Sequence, residues 1–172
     1  MRFRTFCINN RHIYYREILS SDPIFEKFYL IENPEQMEVI AIPDGSIDFE
    51  FTWEKNTCRG YVCGSFLQGQ KSAVSRYRQC FGLRLRWNMR FCFLGKSMVG
   101  LVDRRIPLSD YLDVSFLEKR LCGCSELEEM LEETLEFFKD QHYYTLPVIA
   151  CNAVQMITQS TGAQRVSDIA DL

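Results

Sequence analysis

One short segment limits the possible folds of this chain more than any other: residues 42–48 read Ile-Pro-Asp-Gly-Ser-Ile-Asp. Pro-Asp-Gly predicts a tight turn, because proline fixes φ at the first turn position and glycine adopts a positive φ at no steric cost. From Ile47 to Trp53 the side chains alternate in character, which is the period of a strand with one buried face. We therefore predict a hairpin or tight corner followed by a half-buried strand.

Similar short runs recur through the N-terminal part of the chain. They predict strands at residues 12–19, 25–31, 37–42, 47–53, 60–68, 73–80 and 81–87. Short strands at intervals of about ten residues, separated by Gly, Asn and Pro, favour a sandwich or a jelly roll. The predicted fold class is α+β: a cupin-like jelly-roll β-barrel over about residues 1–100, followed by helices over about residues 108–141.

The helical part begins where the hydrophobic period lengthens from two to about 3.6 residues. Ser115 and Glu118 have the spacing of a capping box and predict a short helix that ends at Gly123. Ser125 and Glu128 repeat this spacing and predict a second, longer helix to residue 141.

The second predicted helix carries an apolar stripe opposite a glutamate-rich face. The stripe consists of Leu127, Leu131, Leu135 and Phe138. Two interpretations remain open, since such a stripe either packs into the core of its own chain or forms a dimer interface.

A third helix is predicted after Pro147, which suits the first turn of a helix. Its predicted buried face consists of Val148, Cys151, Val154 and Ile157, and Gly162 ends it. A last helix is predicted to begin near Ser167, a suitable cap, with Asp168 favourable at the positive end of the helix dipole.

Charge is distributed unevenly, although the net charge is only −3. Residues 59–105 contain ten Lys or Arg and one acid, Asp103. Either basic strands neutralise acidic helices in the fold, or this stretch binds an anion or nucleic acid. A chain with a pI near 5.5 is not basic enough to hold DNA through phosphates alone.

The composition indicates a folded protein without a membrane partner. The 172 residues are 47% hydrophobic, which suffices for a substantial core. No apolar run approaches the roughly 18 residues that cross a bilayer, and residues 1–4 lead into no signal-peptide apolar region. We expect a cytoplasmic protein with its eight cysteines in a reducing compartment.

Metal and catalytic chemistry have little support in the sequence. Cupin metal sites need several histidines, whereas this chain has only His12 and His142. The spacing of its cysteines does not fit zinc pairs, so they are interpreted as small hydrophobes, with redox sensing by Cys122 and Cys124 as the alternative. No phosphate-binding loop is present in the sequence. We expect no metal, no cofactor and no enzymatic activity.

The predicted strands offer one candidate ligand site and one set of charged pairs. Their apolar faces either form the core or line an aromatic cavity for a small molecule, and these residues are Phe49, Phe51, Trp53, Phe81, Leu83, Leu85 and Trp87. The opposite faces carry the candidates for ion pairs or anion binding, which are Asp48, Glu50, Arg84 and Arg86.

Several of these segments carry a resemblance to a known family. Residues 42–51 are similar to the (I/L)-P-D-G-x-x-D-(L/F)-x-F segment in the sensor domain of a subgroup of AraC/XylS-type transcriptional regulators. Residues 64–67, Gly-Ser-Phe-Leu, resemble that family's second glycine-led strand, and residues 81–86, Phe-Gly-Leu-Arg-Leu-Arg, resemble its F-G-V-R-F-x segment. Residues 106–110 resemble the linker into its helices.

The C-terminal segments extend this resemblance. Residues 148–160 and 166–172 are similar to the entry into the family's DNA-binding domain, a scaffold helix followed by the first helix of a helix-turn-helix. The resemblance implies a sensor and dimerisation domain over residues 1–143 and the truncated start of the DNA-binding domain over residues 144–172. It gives as the DNA-binding candidates only the partial first helix, which consists of Ser167, Asp168, Ile169 and Ala170. Ile169 and Ala170 would pack that helix without touching bases, and a recognition helix beyond them would read the DNA.

The resemblance therefore implies the effector-sensing and dimerisation part of a DNA-binding regulator. Its partners would be DNA, an unknown small-molecule effector and a second copy of the chain. Two alternatives remain open: a stand-alone small-molecule-binding cupin-like protein, and a dimerisation module without a ligand.

Overall fold

The computed structural model describes residues 6–7, 12–95, 98–160 and 167, which form a mixed α+β structure. The strands are β1 (Phe6–Cys7), β2 (Tyr14–Leu19), β3 (Phe25–Glu32), β4 (Ile40–Ala41), β5 (Asp48–Glu54), β6 (Thr57–Cys63), β7 (Gln70–Lys71), β8 (Gln79–Leu85), β9 (Met89–Phe91), β10 (Arg105–Pro107) and β11 (Tyr143–Thr145). The α-helices are α1 (Ser115–Leu121), α2 (Leu127–Phe138) and α3 (Val148–Gln159).

Six of the strands form one antiparallel sheet in the order β10-β6-β5-β8-β3-β2. A three-stranded sheet has the order β1-β4-β7, and β9 pairs with β11. Among the described residues, β2 and β10 are not paired with each other, so the six-stranded sheet remains open. The α+β class is confirmed, whereas the closed jelly-roll barrel is not, because the strands of the small sheet are two residues long and pair only with one another.

The Pro-Asp-Gly turn is a corner between two sheets of the fold. Gly45 has φ +72°, the positive value that favours glycine, and Asp44 Oδ1 accepts a hydrogen bond from Ser46 N at 3.1 Å. The strands on either side, β4 and β5, belong to different sheets. The turn therefore redirects the chain from the small sheet into the centre of the large one.

One predicted strand is replaced by other structure. Residues 73–80 contain a short 3-10 helix, Ala73–Arg76, because Ser72 caps it by accepting a hydrogen bond from Val74 N at 3.2 Å. The strand β8 begins only at Gln79. Of the strand predicted at residues 37–42, two residues remain, Ile40–Ala41.

The main apolar core lies between one face of the six-stranded sheet and the helices α1 and α2. The sheet contributes buried aromatic and aliphatic side chains, and the helices contribute Leu117, Leu121, Leu127, Met130 and Phe138. Phe138 stacks on Phe49 with ring centroids 5.2 Å apart. A smaller core on the other face joins the two sheets through Tyr29, Ile31, Val39, Ala41 and Cys80, among others.

Both predicted capping boxes are corrected by the structure. Ser115 forms no cap; its backbone N donates to Asp113 Oδ1 at 3.0 Å. The box of α2 lies one residue later than predicted and pairs Glu126 with Glu129. Side-chain identity alone does not fix which of several neighbouring polar residues takes the cap position.

The helix α3 presents a different face from the predicted one. Its side chains Val148, Val154 and Ile157 are exposed, as is Ile149, and only Cys151 of the predicted buried face is half-buried. No described helix is long and apolar enough to cross a membrane. The predicted domain division after residue 143 falls within β11, which pairs with β9.

Candidate functional site

A buried group of charged residues lies on the second face of the six-stranded sheet, and we call it the charge network: Asp44, Asp48, Glu50, Arg84 and Arg105. At its centre, Arg84 binds Asp48 with two hydrogen bonds, from Nε at 2.9 Å and from Nη2 at 3.0 Å. Asp44 Oδ2 meets Arg84 Nη1 as an ion pair without hydrogen-bond geometry. One guanidinium therefore neutralises the buried carboxylate of Asp48 and the partly buried carboxylate of Asp44.

Strand pairing places these residues together. Asp48 lies directly opposite Arg84 in the register of β5 and β8, so their side chains leave the same face of the sheet. Asp44 reaches the same guanidinium from the corner, where Gly45 allows the chain to fold back. The two charged positions of the Pro-Asp-Gly segment thus bind one residue of the Phe-Gly-Leu-Arg segment.

The second half of the charge network is centred on Arg105 of β10. Its Nε donates to Glu50 Oε2 at 3.2 Å, and its Nη2 donates to Thr52 Oγ1 at 3.1 Å. The guanidinium carbon lies 3.4 Å from the centroid of the Tyr61 ring, and Nη1 donates to the Tyr77 hydroxyl at 3.4 Å. This arrangement combines an ion pair with cation–π stacking, which suits arginine and not lysine.

Burial shifts the pKa values of the charge network. Burial raises the pKa of Glu50 above its ordinary value of 4.5, and the nearby Arg105 opposes this shift. Burial works against the charge on Arg84, but Asp48 and Asp44 outweigh it and raise the pKa of the guanidinium. Burial and the neighbouring Asp48 raise the pKa of Tyr29, whose hydroxyl donates to Asp48 Oδ2 at 3.2 Å.

Of the four charged candidates, three lie in the charge network and Arg86 lies outside it. Strand alternation put Arg86 on the same face as Arg84, but β8 ends at Leu85. Arg86 instead donates to the backbone oxygens of Ser20 and Asp22, both at 3.0 Å. Glu50 is paired with Arg105, which comes from a strand that the sequence did not predict.

The seven candidate ligand residues divide into a packed group and two peripheral tryptophans. Five are at most 1% exposed in the main core and contact one another or α2: Phe49, Phe51, Phe81, Leu83 and Leu85. Trp87 lies beyond the end of β8 and is 44% exposed. Trp53 is half-buried at the end of β5 and lines a surface depression. A ligand among the five packed residues stays a prediction.

The dimer and DNA-binding candidates lie in different environments. Leu127 and Phe138 belong to the core of their own chain, and Leu131 and Leu135 are half-buried against it. Ser167 is helical and exposed, whereas Asp168, Ile169 and Ala170 lie outside the described residues.

The space beside the charge network is small. A cavity of about 20 Å³ is lined by Asp44, Asp48, Glu50 and Arg84, among others. That volume is close to the space that one water molecule needs. Among the described residues no group of three or more His, Cys, Asp or Glu side chains is placed to hold a metal ion. The charge network can thus fix the packing of strands, but it leaves no room for an organic substrate.

Comparison with known proteins found no match to this chain among protein-family models, curated proteins or solved structures. The site is therefore interpreted from its own residues.

Two polar residues of structural importance were missed from the sequence. Arg105 was not singled out, because its strand has only three residues. A strand this short shows no alternation of apolar and polar residues in the sequence. Glu118 was assigned to a capping box, but it is buried and accepts hydrogen bonds from Gly60 N at 2.9 Å and Arg59 Nη1 at 3.2 Å. A buried glutamate on a helix beside a glycine-containing strand could have been recognised from its position on the apolar face of α1.

Proposed function

We propose that this chain is the effector-sensing and dimerisation part of a DNA-binding transcriptional regulator of the AraC/XylS type. The observation that supports the proposal most is the contact between the two segments that carry the resemblance. Arg84 in residues 81–86 binds Asp44 and Asp48 in residues 42–51, although Asp48 and Arg84 are 36 residues apart. If the two segments resembled the family only by chance, their charged residues would not be expected to contact each other in the structure.

The glycines of the resembling segments also have steric roles. A Cβ on Gly64 would lie 1.9 Å from the carbonyl oxygen of Leu101, and one on Gly82 would lie 2.0 Å from Tyr29 Cζ. Both distances are far below a van der Waals contact, so these two positions require glycine. Two of the resembling segments thus carry a glycine that the packing of the fold requires.

The proposal assigns a finer architecture and a mode of action. The two sheets that share the smaller core would correspond to the two halves of a cupin-like jelly roll, and the exposed apolar side chains of α3 would pack against the remainder of the DNA-binding domain to which α3 belongs. An effector that binds one arrangement of sheets and helices better than another would shift how two DNA-binding domains are presented. A cytoplasmic location follows from this role.

The test is made on the complete reading frame of the gene. We expect the codons after Leu172 to encode the remainder of a helix-turn-helix domain, including a recognition helix. The purified full product should then bind a DNA segment from its own locus with sequence specificity, measured by fluorescence anisotropy. Residues 1–172 alone should not show this binding.

Two results would contradict the proposal. One is a stop codon directly after the codon for Leu172. The other is sequence-specific, nanomolar DNA binding by residues 1–172, because the proposal assigns base reading to a later helix. A competing duplex of scrambled sequence serves as the control, since non-specific binding depends on phosphates and salt.

A further inference from the structure

A surface depression of about 510 Å³ lies beside the six-stranded sheet, where β5 ends and β8 begins. We call it the Trp53 depression. Its lining includes one aromatic ring, Trp53, and three cations, Lys55, Arg76 and Arg78, against one carboxylate, Glu54. Its volume falls within the roughly 300–1,000 Å³ that is usual for small-molecule sites. The cavity beside the charge network, at about 20 Å³, does not.

The three cations of the Trp53 depression have no carboxylate partner. Lys55, Arg76 and Arg78 form no side-chain hydrogen bond or ion pair with another residue in the part of the chain that the structure describes. Other described arginines of the basic stretch, Arg59, Arg84 and Arg105, are paired with glutamate or aspartate. Some arginines of this stretch are therefore neutralised by carboxylates, whereas the three cations at this depression are not.

The two arginines are held in place by their backbone. Arg78 O accepts a hydrogen bond from Asn33 N at 2.7 Å, and Arg76 O accepts one from Gln36 Nε2 at 2.5 Å. Between them, Tyr77 is buried and contacts Arg105 of the charge network. With Tyr77 pointing inward, the exposed side chains of Arg76 and Arg78 are presented outward from a fixed loop. The backbone is thus fixed at both residues, and both side chains line the depression.

The aromatic part of the lining is supplied by Trp53. This side chain packs against the main core and also lines the depression, so one part of the indole is fixed while another is accessible. A fixed indole offers a surface on which a planar ring can stack, worth roughly 1–3 kcal/mol for a nucleic-acid base. Guanidinium groups bind phosphate oxygens in a bidentate manner.

We propose that the Trp53 depression binds a small ligand that combines an aromatic ring with a phosphate group, with a nucleoside monophosphate as the simplest representative. The ring stacks on Trp53, and Arg76 and Arg78 bind the phosphate. The binding site is inferred from the residues that line the depression. Its use as the effector site rests on the function proposed above.

Fluorescence titration with adenosine 5′-monophosphate tests the site. The chain has two tryptophans, and Trp87→Phe at an exposed position leaves Trp53 as the reporter. We expect saturable quenching of the Trp53 emission. Changing Arg76→Gln together with Arg78→Gln should weaken binding by about tenfold or more, which corresponds to about 1.4 kcal/mol. Inorganic phosphate and adenosine, each tested alone, should bind at least about tenfold more weakly than the nucleotide.

The matched control is Arg104→Gln with Lys119→Gln, which removes the same charge at exposed positions outside the depression. Binding should stay within about twofold of the parent for this control, since the net-charge change alone is screened by salt. Three results would overturn the site: no saturation, equal weakening by the control, or equal binding of phosphate or adenosine alone. Preference for single-stranded DNA with no nucleotide binding would also overturn it.

The link to regulation is measured separately on the full gene product. If the nucleotide binds as described and changes the affinity of the full gene product for DNA, both the nucleotide site and the regulatory function are supported. If it binds and the DNA affinity does not change, the site is established and only its use as an effector site is overturned.

Discussion

The two faces of the six-stranded sheet are built from alternate residues of the same strands, yet they are stabilised in different ways. On one face Phe49 and Phe81 pack with other apolar side chains beneath α1 and α2. On the other, Asp48 and Arg84 form directed hydrogen bonds inside the charge network. Both faces are buried, so burial alone does not distinguish them.

The difference indicates that the apolar face mainly stabilises the fold, whereas the charge network fixes the register of the strands. Apolar contacts are non-directional, so several alignments of β5 and β8 could bury similar areas. A slip of one residue would move the aromatic side chains to the polar face and Asp48 and Glu50 into the apolar core. Because unpaired buried charge is costly, the charge network penalises every alignment except the one in which Asp48 meets Arg84.

The largest expected effect comes from breaking the charge network at its centre. Arg84→Met should destabilise the fold by about 3–5 kcal/mol, because Asp44 and Asp48 are then buried without a cation. Phe49→Ala on the apolar face should cost a similar amount, about 3–5 kcal/mol. Urea unfolding followed by far-ultraviolet circular dichroism measures both.

Rescue separates the two faces. Adding Asp44→Asn and Asp48→Asn to Arg84→Met removes the unpaired charges, so we expect most of the lost stability to return. The same two substitutions should not rescue Phe49→Ala, which leaves a cavity. If the rescue fails, the cost of losing Arg84 comes from packing and not from charge.

The second expected effect concerns α2, which covers the apolar face. Leu131→Glu with Leu135→Glu should destabilise the fold by about 2–3 kcal/mol, because both positions pack against the core and a carboxylate there loses hydration. Val148→Glu with Ile149→Glu is the matched control on α3. Those side chains are 74% and 58% exposed, so the control should stay within about 0.5 kcal/mol of the parent.

Sedimentation of the same variants tests the alternative for α2. If the α2 variant keeps its stability but changes from dimer to monomer, then Leu131 and Leu135 face a second copy and the assignment to the core is wrong. If the parent chain is already a monomer at tens of micromolar, dimerisation through this part of the protein is contradicted.

Local pattern was enough to predict the position of β5, although the face expected to be exposed is buried as well. The alternation before and after Phe51 fixes which side chains share a face, and β5 runs over nearly the residues predicted. The turn at Gly45 was predicted from its dipeptide chemistry, because positive φ is a local property. Confirmed elements are thus those whose signal lies within a few residues.

Long-range features could not be predicted from the same signals. The pairing of Glu50 with Arg105 depends on β10 joining the sheet beside β6, across a separation of 55 residues. The exposure of α3 depends on what packs against it, which its own period does not specify. The predicted barrel is not confirmed, and local pattern could not decide it, since closure depends on how edge strands meet.

The third expected effect concerns α1 where it meets β6. Glu118→Ala should cost about 1–2 kcal/mol, because the buried Gly60 N–H loses its acceptor. Glu118→Gln keeps an acceptor oxygen and should cost less. Ser115→Ala is the control: a capping box would make Ser115 and Glu118 comparably important, whereas the structure assigns the Ser115 side chain no cap. Comparable losses at both positions in thermal unfolding would contradict the structural assignment.

The smallest expected effect is a pH dependence that belongs to the polar face alone. Burial raises the pKa of Glu50 above 4.5, so the folded state binds this proton more tightly than the unfolded state does. The stabilisation from that proton is complete below the unfolded pKa and is lost as the pH rises through the folded pKa. Relative to Glu50→Gln, the parent chain should therefore lose stability as the pH rises from below 4.5 towards neutrality.

Urea midpoints across this range measure the difference, and the control Glu54→Gln makes the same charge change at an exposed position of β5. A parent chain that gains stability relative to Glu50→Gln over that range would show that pairing with Arg105, and not burial, dominates this carboxylate.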